Sequence, residues 1–123
     1  LGFAKARFDA EAFWYRGNGS IDILADRDFT LEGTAGRGVV LYGNRDSNTA
    51  WRLLIRDDEV DLRSGKVRIG AREFRGNDLA CLFVRPRPDD ARACVVGIGG
   101  SSIAGMRVTN RLPYFTPGAG FPD

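Results

Sequence analysis

Four stretches of the chain are dense in apolar residues over the length of a strand: Ile21 to Ala25, Val39 to Tyr42, Cys81 to Val84 and Ala93 to Ile98. The last three are nearly continuous rather than alternating, the pattern of strands covered on both faces. Two of them run through a turn into a helical period. After Val39 to Tyr42 comes Gly43-Asn44-Arg45-Asp46-Ser47, then Ala50, Trp51, Leu54 and Ile55. That spacing predicts an amphipathic helix capped by Asp46 or Ser47. After the last run comes Gly97-Ile98-Gly99-Gly100-Ser101-Ser102, then Ile103 and Met106. These predict a second helix that starts at one of the serines and stops at Leu112-Pro113.

Between these halves, Val60, Leu62, Val67, Ile69 and the segment Arg72 to Phe74 alternate around Ser64-Gly65 and Gly70-Ala71. The alternation predicts an exposed β-ribbon, inserted around residues 59–75. The connection Arg85-Pro86-Arg87-Pro88-Asp89-Asp90 is shorter than the roughly 12 residues that a crossover between parallel strands needs. The sheet is therefore expected to be mixed. The fold class predicted from these elements is α/β: one domain over residues 1–123, built on a small mixed, mostly parallel sheet flanked by helices. The tail from Thr116 to Asp123, rich in Gly and Pro, is expected to be irregular.

Composition narrows the functional classes. With 123 residues, 43% of them hydrophobic, the chain can bury one core but not two. The formal net charge is only +2, and the arginines are scattered among 16 acidic residues, with Lys5 and Lys66 the only lysines. That is a mixed solvated surface, so no nucleic-acid partner is expected. The apolar runs span a few residues each, where a bilayer crossing takes about 20, so no membrane span is expected. The chain opens on Leu1 without a basic start and apolar run, which suits a processed piece or an excised domain rather than a signal peptide. Cys81 and Cys94 sit in apolar runs, where free buried thiols are the ordinary reading. In a hairpin centred on Asp89, Cys94 would face Val84, so a disulfide is not implied.

There is no histidine in the chain. A Ser-His-Asp or Cys-His proton relay cannot be assembled within it, and two cysteines 13 positions apart do not make a structural zinc site. No catalytic residue, metal ligand or cofactor is assigned. The sharpest positive signal is the glycine-rich turn at Gly97, Gly99, Gly100, Ser101 and Ser102, between a buried strand and a helix, where backbone N–H groups can cradle a phosphate. The dinucleotide fingerprint would end on Ser102 instead of Gly or Ala, and the P-loop spacing Gly100 to Gly105 is followed by Met106-Arg107 instead of Lys and a hydroxyl. The structural alternative is that the glycines serve close packing. If the two strands are parallel, the Gly43 loop shares their carboxyl edge, and Asn44, Arg45, Ser101 and Ser102 would face a small anion. Turn and cap hydrogen bonds are the plainer use of such residues. The acidic cluster Asp57, Asp58, Glu59 and Asp61 lacks the spacing of a calcium loop and reads as a solvated connection. Aromatic residues crowd both ends, at Phe13, Trp14 and Tyr15 and again at Tyr114, Phe115 and Phe121. They either close this domain's own core or dock it on another body.

Several phrases resemble a known group of proteins. Phe13-Trp14-Tyr15-Arg16-Gly17-Asn18-Gly19-Ser20, Val39-Val40-Leu41-Tyr42-Gly43-Asn44, Asn77-Asp78-Leu79-Ala80-Cys81 with Arg85-Pro86-Arg87-Pro88, and Arg111-Leu112-Pro113-Tyr114-Phe115 look like the C-terminal end of large exported bacterial hydrolases. These are of the prolyl oligopeptidase and α/β-hydrolase kind. The resemblance implies a non-catalytic C-terminal accessory domain of a peptidase or esterase, exported, whose partner is the remainder of the hydrolase chain. The serine nucleophile and its histidine would then lie upstream. Ser101-Ser102 stands where the likeness leads one to expect a Gly-Thr-Gly turn. The alternative function is a stand-alone domain binding a phosphate-bearing small molecule or nucleotide at the Gly43 and Gly97 loops.

Overall fold

The computed structural model describes residues 2–55, 60–112 and 114. It opens on a helix, α1 (Gly2–Gly17), that the hydrophobic pattern does not predict. Its formation follows from residue type: Ala4, Ala6, Ala10 and Ala12 alternate with Lys, Arg and Glu, all strong helix formers. Arg7 Nε reaches Glu11 Oε1 one turn later at 2.9 Å. The helix stops at Gly17, and Asn18 takes a left-handed φ of 48°.

The remaining elements are β1 (Val39–Tyr42), α2 (Trp51–Leu54), β2 (Val60–Arg63), β3 (Lys66–Ile69), β4 (Arg72–Arg75), β5 (Ala80–Pro86), β6 (Cys94–Gly100) and α3 (Ile103–Val108). They form two three-stranded sheets. In the first, ordered β1-β6-β5, β1 lies parallel to β6 and β5 antiparallel to it. The second is the antiparallel meander β2-β3-β4.

The expected fold class is thus corrected. The protein is mostly β, with two small sheets and short helices, not an α/β domain with a mostly parallel sheet flanked by helices. The apolar run of β6 does mark a largely buried strand, but on β1 only Leu41 and on β5 only Cys81 is buried, and Val84 is 64% exposed, so those two strands are not covered on both faces. Here Val95 and Leu41 join Trp51, Leu54 and Ile55 around α2 and Leu62 and Val67 from the meander in one core. On β6, α3 is the other neighbour. The second sheet supplies part of the cover that helices alone were expected to provide. Over residues 60–75 the expected short antiparallel strands and tight turns do form, but they are not a ribbon standing free in solvent. Leu62 and Val67 are buried, and only β4 is exposed along its whole length.

Other expectations also shift. Ile21 to Ala25 forms no strand; Ile21, Ile23 and Leu24 are exposed and lead into a 3-10 turn at Asp26–Asp28. The helix after β1 is only Trp51–Leu54, and its N-cap is Ala50, which has no side-chain acceptor; Asp46 accepts the Ser64 amide at 2.8 Å and Ser47 Oγ the Asn44 amide. Ser102 does cap α3, accepting from the amides of Ala104 and Gly105. Cys94 pairs with Pro86 rather than Val84, and Cys81 with Gly99. Both thiols are free, Cys81 buried and Cys94 exposed. Burial pushes the Cys81 thiol up. No described helix is long and apolar enough to cross a membrane.

The Arg85-Pro86-Arg87-Pro88 phrase has a structural role. Arg87 is 2% exposed and fills the turn between β5 and β6. Its Nε and Nη2 donate to the two oxygens of Asp89 at 2.9 and 2.6 Å, and Nη1 donates to the carbonyls of Thr34 and Arg37 at 2.6 and 2.8 Å. A single side chain thereby ties the 31–37 loop to the hairpin.

Candidate functional site

Because β1 and β6 are parallel, the loops that follow them emerge at one edge of the sheet, and Asn44 meets the glycine turn there. Asn44 is buried and its Nδ2 donates to Gly100 O at 3.0 Å. Its Oδ1 accepts the amides of Asp46 and Ser47, each at 3.0 Å, and Ser47 Oγ accepts the Asn44 amide. Ser101 Oγ donates to Gly76 O at 2.7 Å and accepts the Leu79 amide at 3.2 Å. Ser102 Oγ donates to Asn77 O besides capping α3. Arg45 is paired with Asp61 at 3.4 Å, and Asp61 also receives Arg63 at 2.8 Å. Burial works to raise the Asp61 pKa, but Arg63 and Arg45 hold it below the usual carboxylate range.

The glycines at this edge are points of contact. A Cβ on Gly99 would stand 1.8 Å from Gly43 O and one on Gly100 2.2 Å from the Met106 nitrogen, both backbone atoms. One on Gly97 would stand 2.3 Å from the Phe83 ring. A ligand at Asn44, Arg45, Gly97, Gly99, Gly100, Ser101 and Ser102 would have to displace this set of protein–protein bonds. Of the acidic cluster, Asp57, Asp58 and Glu59 lie outside the described residues. Among the described residues no three His, Cys, Asp or Glu side chains gather as a metal site would require.

A second polar cluster fastens α1. Asp9 is its one fully buried residue, at 5% exposure. Tyr42 and Tyr114 donate their hydroxyls to Asp9 Oδ2 at 2.9 and 3.1 Å, and Lys5 Nζ lies 3.5 Å from Oδ1 and 4.9 Å from the Tyr114 ring centre. Burial, with the Asp9 carboxylate beside them, pushes both phenols well above their ordinary pKa. They remain protonated donors. Between α1 and the α3 end lies a cleft of about 510 Å³, whose lining includes Arg16, Arg107, Phe8, Met106 and Leu112.

The outer side of α1 is inverted relative to an ordinary surface helix. The face toward the sheet carries Gly2, Lys5, Ala6 and Asp9, while Phe3, Phe8, Trp14 and Tyr15 are 69%, 68%, 62% and 86% exposed. A shallow groove separates Trp14 and Tyr15 from Ile21 and Ile23. Of the terminal aromatics, Trp14 and Tyr15 thus share this outer side. Phe13 is half-buried against the Gly17–Gly19 turn, and Tyr114 faces Asp9. Phe115 and Phe121 lie outside the described residues. Sequence reasoning missed Lys5, Asp9 and Tyr42 as a unit. The alanine-rich stretch from Ala4 to Ala12 carried the helix signal, and Lys5 and Asp9 at i,i+4 marked its inner side. The chain matches no protein-family model, no curated protein and no solved structure.

Proposed function

We propose that the protein is a non-catalytic accessory domain that docks on a larger polypeptide body through the outer side of α1. The observation that carries this reading is the inverted helix. Four aromatic side chains of roughly 200 Å² each, about two-thirds exposed, leave on the order of 500 Å² of aromatic surface uncovered. That is toward the upper end of the roughly 300–600 Å² that the largest apolar patch of a lone domain spans, and such patches are often functional. It also equals one partner's share of the ~1,000 Å² total at which a specific interface begins. The inner side of α1 is closed by Asp9 and its phenols, so the aromatics cannot be buried by rolling the helix over without stranding a carboxylate.

The partner in this reading is the catalytic body of an exported serine hydrolase. Two features support it: the resemblance of the Phe13, Val39, Asn77 and Arg111 phrases, and the lack of histidine, which means that a Ser-His-Asp relay would have to take its imidazole from other polypeptide. The test is the coding sequence upstream of Leu1. A strand, a Gly-x-Ser-x-Gly turn and a helix, in frame, are the expected finding; a native start at Leu1 counts against the reading.

A further inference from the structure

We infer that the cleft between α1 and α3 is a binding site for a carboxylate carried on an apolar body, with Arg16 and Arg107 as its anion-binding groups. The volume, about 510 Å³, falls within the range of small-molecule sites. Its charge balance selects the ligand. Lys5 and Asp9 neutralise each other at 3.5 Å, and the phenols that reach Asp9 are uncharged. What is left is positive: Arg16 and Arg107 are among the lining residues, and neither is ion-paired with a carboxylate among the described residues. Arginine is the side chain whose planar fork matches a carboxylate. The walls at Phe8, Met106 and Leu112 are apolar and call for an apolar body behind the anionic head. The same chemistry is found in a free organic acid and at the C-terminus of an apolar peptide, so both are assayed. This inference does not depend on the docking role of the outer side of α1, although Phe8 borders both surfaces.

The experiment is a titration of the ¹⁵N-labelled protein followed by amide shifts. The probes are 3-phenylpropanoate, its neutral amide, and a short peptide ending in Leu-Phe with a free or an amidated C-terminus. The acids should give saturable shifts at Arg16, Arg107 and Asn110, which also lines the cleft, with a dissociation constant on the order of 1 mM for a ligand this small. The amides should bind at least about tenfold more weakly, and R16Q/R107Q should weaken the acids by a similar factor. Saturation by the peptide acid alone assigns the carboxylate to a polypeptide; saturation by 3-phenylpropanoate as well assigns it to small acids too. Equal binding of acid and amide, shifts confined to other surfaces, or no saturable shift with any probe overturns the inference. The acid-to-amide comparison is made on the unaltered protein, so it stands even if the double variant does not fold.

Discussion

Replacing Arg87 by methionine tests the idea that a buried cation, more than apolar contact, holds the 31–37 loop on the β5–β6 hairpin. Methionine keeps the length of the stem but deletes the guanidinium bonds to Asp89, to the carbonyls of Thr34 and Arg37 at 2.6 and 2.8 Å, and to Leu31 O at 3.4 Å. Each bond to a charged group contributes about 1.5–3 kcal/mol, and acceptors left buried without a donor add a similar cost. Since some of the freed carbonyls can recover water, the expected net loss is about 3–5 kcal/mol, the range for breaking a buried ion pair from one side. For a domain of this size that is a fall of roughly 10–20 °C in the unfolding midpoint. Lysine should recover less than half of it, since one ammonium cannot reproduce the fork. The assay is denaturant unfolding monitored by Trp51, which lies in the core against Phe83. A loss below about 1 kcal/mol for Arg87→Met would refute the reasoning, because surface changes already span that range.

Gly99→Ala should cost about 3 kcal/mol or more, or prevent folding, since its methyl would meet Gly43 O at 1.8 Å; circular dichroism with thermal melting reads the effect. Tyr42→Phe removes one donor from buried Asp9 and should lower stability by about 1.5–3 kcal/mol, with amide exchange accelerating first in α1. The raised phenol pKa values of Tyr42 and Tyr114 mean that the folded state keeps protons the unfolded chain gives up. Their contribution is complete below the unfolded value of about 10 and falls away as pH rises beyond it. Absorbance titration should show these two phenols ionising only as the fold is lost. Asp61 has the opposite sign: its depressed pKa adds stability above the unfolded value of about 3.9 that is lost as the carboxylate protonates in acid. Asp61→Asn should flatten that acid limb, as read by urea unfolding across pH.

What the pattern of residues could reveal is clear at β1, β5 and β6. Their apolar runs located the strands, though only β6 is largely buried, and the short Arg85–Asp90 connection required β5 and β6 to be antiparallel, as they are. The identity of the covering layer was not legible. An alternating strand with a half-apolar face, such as β2 with Leu62, packs on a core or stands in solvent with the same local sequence. At the candidate sites, bringing Asn44 to the glycine turn depended on β1 and β6 lying side by side, a long-range pairing that local spacing does not encode. The α1 cleft was hidden for a related reason: Asp9, Tyr42 and Tyr114 stand 33 and 105 positions apart from the carboxylate outward. The inversion of α1 left its own trace, in aromatic residues at positions that do not share the face of Lys5 and Asp9.

The two tryptophans separate the proposed docking surface from the core, since Trp14 is exposed and Trp51 buried. With both replaced by 5-fluorotryptophan, fluorine spectra of the isolated 123-residue chain in H₂O and D₂O should show a solvent isotope shift for Trp14 and none for Trp51. In the longer polypeptide that the proposed docking role calls for, the Trp14 shift should vanish while Trp51 is unchanged. A Trp14 that stays as solvent-exposed there as in the isolated chain contradicts the account.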